Sequence, residues 1–236
     1  MNGLVISAKD LGSFALDGAC QRCLWLKLHL KRFPYQTFPG IFSSIDSYNK
    51  HVVNRYFHRE RCLPAWLAPL GEIDQCVDPP HYSKFSLTDP STGVTLRGTP
   101  DAIFHMRGGG HTIADYKTAR YTPGQETLLP IYHAQLNGYA YLGNRLGLSP
   151  VSKIVLVYME PVTDPATASL PQSVNGQGFI MSLAARIVEV PLEPDKLIPT
   201  LLHKASTLHK LPSPPPSTKD CKDCPILSDM FRAISS

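Results

Sequence analysis

The sequence predicts an α/β fold, a central mixed sheet flanked by helices. Three observations carry that expectation. The hydrophobic period changes from helical to alternating near Lys84, a strand, helix, strand order runs from His111 to Tyr158, and amphipathic helical stretches lie on either side of that unit.

The elements follow in order. Ser7 and Asp10 have the spacing of a capping box, and helical periodicity then runs broadly from Lys9 to Lys31, with a break near Gly18. A loop with Pro34, Pro39 and Gly40 leads to a second helix, in which Ile45, Tyr48, Val52 and Tyr56 recur at three- and four-residue spacing. Between Cys62 and Tyr82 dense prolines erase the pattern, which predicts loop or short irregular helix. Phe85 and Leu87, then Val94 and Leu96, alternate on either side of Asp89-Pro90-Ser91-Thr92-Gly93, so they should form antiparallel strands around a turn. Pro100 to Met106 and His111 to Lys117 form a second hairpin, turning through Arg107-Gly108-Gly109-Gly110, where glycine tolerates positive φ. A long helix from about Glu126 to Leu146 and a buried strand through Ile154 to Tyr158 complete a crossover unit. Residues 161–178 are rich in Pro, Ser, Thr, Asn and Gly, the composition of an exposed loop and the best candidate for disorder. A strand over about Gly178 to Pro191, a helix over about Pro194 to Lys210 and a stiff linker at Pro212 to Pro216 close the pattern.

At 236 residues with 43% hydrophobic side chains, the chain suits one domain with a real core. A net charge of +4 is compatible with a polyanionic partner and places any nucleic-acid contact in a local groove rather than over the whole surface. Lys9, Asp10 and Asp17 interrupt the N-terminal stretch where a signal peptide needs apolar residues, and no run reaches the roughly 20 apolar residues of a membrane span. The expectation is a cytoplasmic protein with no membrane partner, whose six cysteines serve something other than disulfides.

Pivoting the second hairpin at about Gly108 sets Asp101 opposite Asp115 on one sheet face, with Lys117 on that same face two residues on. Facing carboxylates repel unless a cation sits between them. Hard oxygen donors suit Mg²⁺ or Mn²⁺, ions that also bind phosphate, and an adjacent lysine can help deprotonate water and stabilise negative charge developing on phosphorus. Gln135 and Tyr139, one helical turn apart, face one partner together.

Gly98-Thr99-Pro100-Asp101, Ile113-Ala114-Asp115-Tyr116-Lys117-Thr118 and Gln135-Leu136-Asn137-Gly138-Tyr139 resemble the GxxD, (D/E)xK and QxxxY motifs of RecB-like PD-(D/E)xK nucleases, in the same order. The resemblance covers about residues 40–160. The terminal cysteine pairs extend it to CRISPR-associated and AddB-like relatives. It implies a single nuclease domain over residues 1–236 with a restriction-endonuclease-like core, with Asp101 and Asp115 as metal ligands, Lys117 as the catalytic lysine, and Gln135 and Tyr139 contacting DNA or ordering the site. Tyr116, between the last two motif residues, joins the candidate metal set. The implied substrate is DNA, single-stranded or with a free end, and the implied protein partner is a helicase or a CRISPR-type protein.

These relatives commonly place a metal-binding histidine on a helix before GxxD. Here the equivalent stretch is Ser43 to Lys50, and Asp46 stands at the histidine position. A carboxylate is a competent ligand, although Ser43 and Asp46 also have the spacing of a capping box. His51 and His58 share a helical face and are alternative ligands.

Cys20 with Cys23, and Cys221 with Cys224, form two CxxC pairs, each able to wrap a soft metal. If the termini meet, segments 1–32 and 212–236 join through one metal centre. Iron-sulfur relatives imply a [4Fe-4S] cluster, usually with one cysteine before the core and three after. The division here, two and two, keeps Zn²⁺ as the alternative. Cys62 and Cys76 lack CxxC partners and read as structural thiols. Arg22, Lys27, Lys31 and Arg32 beside the first pair are candidate phosphate contacts, or a solvated face. Two further readings are a metal-stapled nucleic-acid-binding module without catalysis and a structural subunit of a helicase-nuclease assembly. With no P-loop in this sequence, any motor is another chain.

Overall fold

The computed structural model describes residues 3–30, 39–122 and 127–235. The chain opens with strand β1 (Val5–Ser7), the short helix α1 (Ala8–Leu11), a 3-10 turn (Gly12–Ala15) and helix α2 (Gln21–His29). Helix α3 (Gly40–Glu60) and a 3-10 turn (Ala65–Leu70) precede β2 (Ile73–Val77), β3 (Ser86–Thr88), β4 (Thr95–Arg97), β5 (Ala102–Met106) and β6 (His111–Lys117). Then come α4 (Leu129–Arg145), β7 (Val151–Pro161), α5 (Pro165–Ala168), a 3-10 turn (Pro171–Ser173), β8 (Val174–Asn175), β9 (Gly178–Phe179), β10 (Leu183–Glu189), α6 (Pro194–His209) and α7 (Asp223–Ser235).

Five strands form the central sheet in the order β10-β7-β6-β5-β2. Its β6 and β7 are parallel and its other pairs antiparallel, the mixed α/β arrangement expected. The parallel pair is joined by α4, because parallel neighbours need a crossover. Gly109 (φ 89°) and Gly110 (φ 77°) turn the β5–β6 hairpin, and Ala102↔Ala114 through His105↔His111 is the register the pivot predicts.

Alternation along the strands splits the core. Ile113, Ile154 and Leu156 pack with Leu136, Ala140 and Leu202 on the face covered by α4 and α6. Ala114, Tyr116, Val155 and Val157 pack with Val53, Phe57 and Leu67 on the face covered by α3. From Ala134 to Gly143 every residue of α4 is buried, since α1 and α6 cover the side turned from the sheet. Gly138 makes this possible, because a Cβ there would lie 2.9 Å from that of Ala8. Asn137, fully buried in the same stretch, donates to the Pro191 carbonyl and accepts from the Glu193 amide, fixing the turn into α6.

Several expectations change. Ser7 does cap a helix, accepting from the Asp10 amide at 3.0 Å, but that helix ends at Leu11, and the first element is β1, pairing in parallel with β4 beside β3. The β3–β4 hairpin thus builds a separate three-stranded sheet, its turn held by Asp89 accepting from Ser91 and Thr92. Helix α3 begins at Gly40 after Pro39, so Ser43 and Asp46 lie inside it and form no capping box. The proline-rich stretch after Cys62 contains β2, an edge strand of the central sheet. Residues 161–178, the expected disordered loop, hold α5, capped by Asp164, and the β8–β9 hairpin, exposed as anticipated. Lys31, Arg32, Pro34 and Glu126 fall outside the described residues. No helix among the described residues is long and apolar enough to cross a membrane.

Candidate active site and cysteine centre

The acidic residues meet at the edge where β6 ends and β5 begins. Asp115 points to the α4 face, side chain 4% exposed, and its Oδ2 lies 2.5 Å from Lys117 Nζ. Its Oδ1 accepts from Gln135 Nε2 at 3.1 Å. That same amide nitrogen donates to the Tyr139 hydroxyl at 2.8 Å, while Gln135 Oε1 accepts from Lys117 at 3.3 Å. Lys117 also sits 4.4 Å above the Tyr132 ring. Asp101, just before β5, accepts from the Tyr116 amide at 2.8 Å through Oδ2. Hence Asp101, Asp115, Lys117, Gln135 and Tyr139 form one connected site.

Packing explains the glycine of the first motif. A Cβ on Gly98 would come within 2.5 Å of Tyr139 Cε1, so the bare backbone there is what lets the tyrosine reach Gln135. On the strand beside Lys117 lies Tyr158, fully buried on the same face, with a hydroxyl that makes no hydrogen bond among the described residues. At the rim Arg186, paired across β10 and β7 with Tyr158, stacks 4.1 Å over the Tyr121 ring, and Arg120 donates to Thr163.

Burial pushes the Asp115 carboxyl up from 3.8 to about 6; Lys117 pulls against that shift and the Asp101 charge adds to it. Its Oδ2, in contact with Lys117, has no well-directed hydrogen bond. A buried carboxylate with an oxygen in that state, near enough to Asp101 to feel its charge, belongs to a donor set that fits a hard divalent cation.

Asp46 does not join Asp101 directly. Lys50, one turn along α3, stands between them, its Nζ 2.7 Å from Asp46 Oδ2 and 2.7 Å from Asp101 Oδ1. The carboxylates of Asp46, Asp101 and Asp115 therefore do not gather as three converging ligands. Tyr116 projects to the opposite face, where its phenol is buried without a hydrogen bond among the described residues, so it is its backbone that touches Asp101. His51 and His58 are exposed on α3. The residue that sequence reading missed is Lys50. The four-residue spacing from Asp46 was a signal for an ion pair, but nothing local shows that α3 passes Asp101.

Near the first turn of α4, whose Ile131 lines one cavity with Cys20, Cys23 and Cys221, the pair Cys20 and Cys23 at the start of α2 meets Cys221 and Cys224 at the start of α7. The sulfurs lie 3.7 Å (Cys20 to Cys224), 3.5 Å (Cys23 to Cys221) and 3.6 Å (Cys23 to Cys224) apart. Among the described residues these four are the one set of three or more His, Cys, Asp or Glu side chains whose ligand atoms fall within 4.8 Å of each other. Burial raises Cys23, and its neighbouring thiols add to this; Cys20 is lowered to about 6 because amide and hydroxyl donors, chiefly from Thr218, outweigh its burial. Such a group of thiols fits a cation that accepts them as thiolates. Trp25 Nε1 donates to the Leu211 carbonyl nearby, tying α2 to the segment after α6. Cys62 is exposed and Cys76 half-buried, both away from this centre.

The family model described as the PD-(D/E)XK nuclease superfamily matches residues 20–228. A solved structure described as "Crystal structure of SSO0001" is 14% identical with a TM-score of 0.44, over 89% of this chain and 78% of that one. No curated protein matches the chain.

Proposed function

Since the chain belongs to the PD-(D/E)XK nuclease superfamily, we propose that it is a divalent-metal-dependent DNA nuclease of RecB-like type, folded as one domain, that hydrolyses phosphodiester bonds at Asp101, Asp115 and Lys117. The observation that carries this reading is the union of its three motifs in one hydrogen-bonded site at the strand ends.

Asp101 and Asp115 would hold Mg²⁺ or Mn²⁺, which when bound supplies Lewis-acid activation of water and offsets phosphate charge. The chain's own residues do the rest. Lys117 is aimed by Asp115, Gln135 and the Tyr132 ring, so its ammonium is fixed beside the reacting phosphate, where it stabilises the charge that grows as water oxygen bonds to phosphorus. Gln135 fixes one oxygen of Asp115, leaving the other for the cation. The attacking water gives up a proton to solvent as its oxygen bonds to phosphorus, the bond from phosphorus to the leaving oxygen breaks, and that oxygen takes up a proton from solvent.

A single-stranded or frayed substrate is supported by the rim. Tyr121 with Arg186, and Arg120 beside them, place an aromatic ring and two exposed guanidinium groups along the sheet from Lys117. Unpaired bases stack on such groups while the phosphates meet the charges. A helicase or CRISPR-type partner rests on the family resemblance.

For the cysteines the reading is one tetrahedral ion, Zn²⁺, rather than a [4Fe-4S] cluster. Metal–sulfur bonds of about 2.3 Å in a tetrahedron hold sulfurs about 3.8 Å apart, close to the 3.5–3.7 Å spacings here. A cubane, with each thiolate on its own iron, spreads them wider. Elemental analysis of anaerobically purified protein should give one zinc per chain and no color. Iron with a broad absorption near about 400 nm overturns this reading of the metal.

The nuclease reading is tested with end-labelled single- and double-stranded DNA in Mg²⁺, in Mn²⁺ and with chelator. Metal-dependent cleavage should favour single strands and fall at least about 10³-fold in Asp115→Ala and Lys117→Ala. Cleavage that survives in both folded variants, or no cleavage of either substrate, overturns it.

A further inference from the structure

The ammonium of Lys50 lies 2.7 Å from Asp46 Oδ2 and 2.7 Å from Asp101 Oδ1, with its side chain two-thirds buried. An ion bridging those two oxygens would have to occupy the same place. Asp101 and Asp115 are built alike: each gives one oxygen to a neutral donor, the Tyr116 amide or Gln135, and the other to an ammonium, Lys50 or Lys117. We propose that Lys50 is a resident cation of the active site, standing where a second metal ion would sit, so that the centre binds one divalent ion and not two.

The inference rests on the nuclease reading above and deepens it. Charge balance supports the count. Asp46, Asp101 and Asp115 against Lys50 and Lys117 leave one net negative charge. One divalent ion makes the centre singly positive, which a single phosphodiester neutralises. A second ion would leave two positive charges uncompensated in a half-buried site, where the cost of unbalanced charge is higher than in water. The same 2.7 Å contacts hold the two carboxylates against one ammonium. Lys50 is thereby a positioning residue as well, fixing Asp101 Oδ1 before any ion arrives.

The test counts Mn²⁺ by electron paramagnetic resonance titration of the whole chain, subtracting ions that still bind the Asp101→Asn, Asp115→Asn double variant. Wild type should bind one, Lys50→Arg one, and Lys50→Met, which keeps the length and removes the charge, two. Adding Asp46→Asn to Lys50→Met should return the count to one. Two ions in wild type, or one in folded Lys50→Met, overturns the inference. If Lys50→Met does not fold, the wild-type count and the Lys50→Arg count still decide it. A wild type that cleaves DNA with two ions refutes only the role of Lys50; one that binds no subtractable Mn²⁺ and cleaves nothing refutes the nuclease reading itself.

Discussion

Replacing Asp115 by asparagine keeps the shape of the side chain and an acceptor for Gln135, and removes only the charge. The carboxyl is raised from 3.8 to about 6 in the folded protein, chiefly by burial. Its folded value is above its unfolded one, so between those two pH values the folded chain binds more protons, and this group's contribution to stability declines as pH rises. Below about pH 3.8 the carboxyl is neutral in both states and costs nothing; above about pH 6 the whole penalty is present. Two units correspond to at most about 3 kcal/mol. The pull of Lys117 is already contained in that net shift, and what offsets part of the gain is the asparagine amide, which must find a hydrogen-bond partner in the same buried place. For a chain of this size 1 kcal/mol is about 2–4 °C, and Asp115→Asn should therefore melt roughly 3–6 °C higher than wild type at pH 8 without added Mg²⁺. The difference should vanish near pH 4. Calorimetry of both chains from pH 3.5 to 8 measures it, and titrations elsewhere, including the thiols, cancel because the chains share them. The same substitution should abolish cleavage. A difference that does not vary with pH, or a variant that melts lower at pH 8, refutes the reasoning.

Three further outcomes follow from single contacts. Gly98→Ala should cost about 1–3 kcal/mol and reduce cleavage, because a Cβ 2.5 Å from Tyr139 pushes the ring off Gln135; a variant melting like wild type counts against that packing. Tyr158→Phe removes a buried hydroxyl with no hydrogen bond, so the melting point should hold or rise, by up to about 1 kcal/mol of stability, and a clear loss would mean the hydroxyl has a partner. Cys224→Ser should lose the bound metal and melt earlier, as thiolate ligation is coupled to folding, whereas Cys62→Ser, at an exposed thiol, should do neither; elemental analysis with thermal melts checks both.

Local pattern revealed what local physics determines. The β5–β6 register, the crossover helix and the alternation that turns Asp115 and Lys117 to one face all follow from strand period and glycine turns. What stayed hidden depends on distant partners. β1 is three residues long and exists because it lies beside β4 from the far side of the first helices. β2 is an edge strand with an irregular register between Ile73 and Gln75, so its alternation is broken where a sequence reader would look for it. Helix α7 follows a proline linker, and its first turn carries Cys224, which draws attention to the metal and away from the helix. Lys50 reads as one of the polar residues of α3 until the helix is seen to cross the sheet edge at Asp101.

The three sequence motifs are one mechanical device. Gly98 leaves room for the Tyr139 ring; the Tyr139 hydroxyl accepts from Gln135; Gln135 reaches Asp115 and Lys117 with its two ends. Each link requires its residue type: a side chain on Gly98 moves the ring, a phenylalanine at 139 removes the acceptor, and a glutamate at 135 sets a negative charge against Asp115. The spacing within each motif also has a cause. Two residues along a strand keep Asp115 and Lys117 on one face, and four along a helix stack Gln135 below Tyr139. Strand, crossover and helix thus fix the lysine's position through a neutral acceptor and a ring, so the ammonium would stay in place if a cation took up the Asp115 oxygen it now contacts.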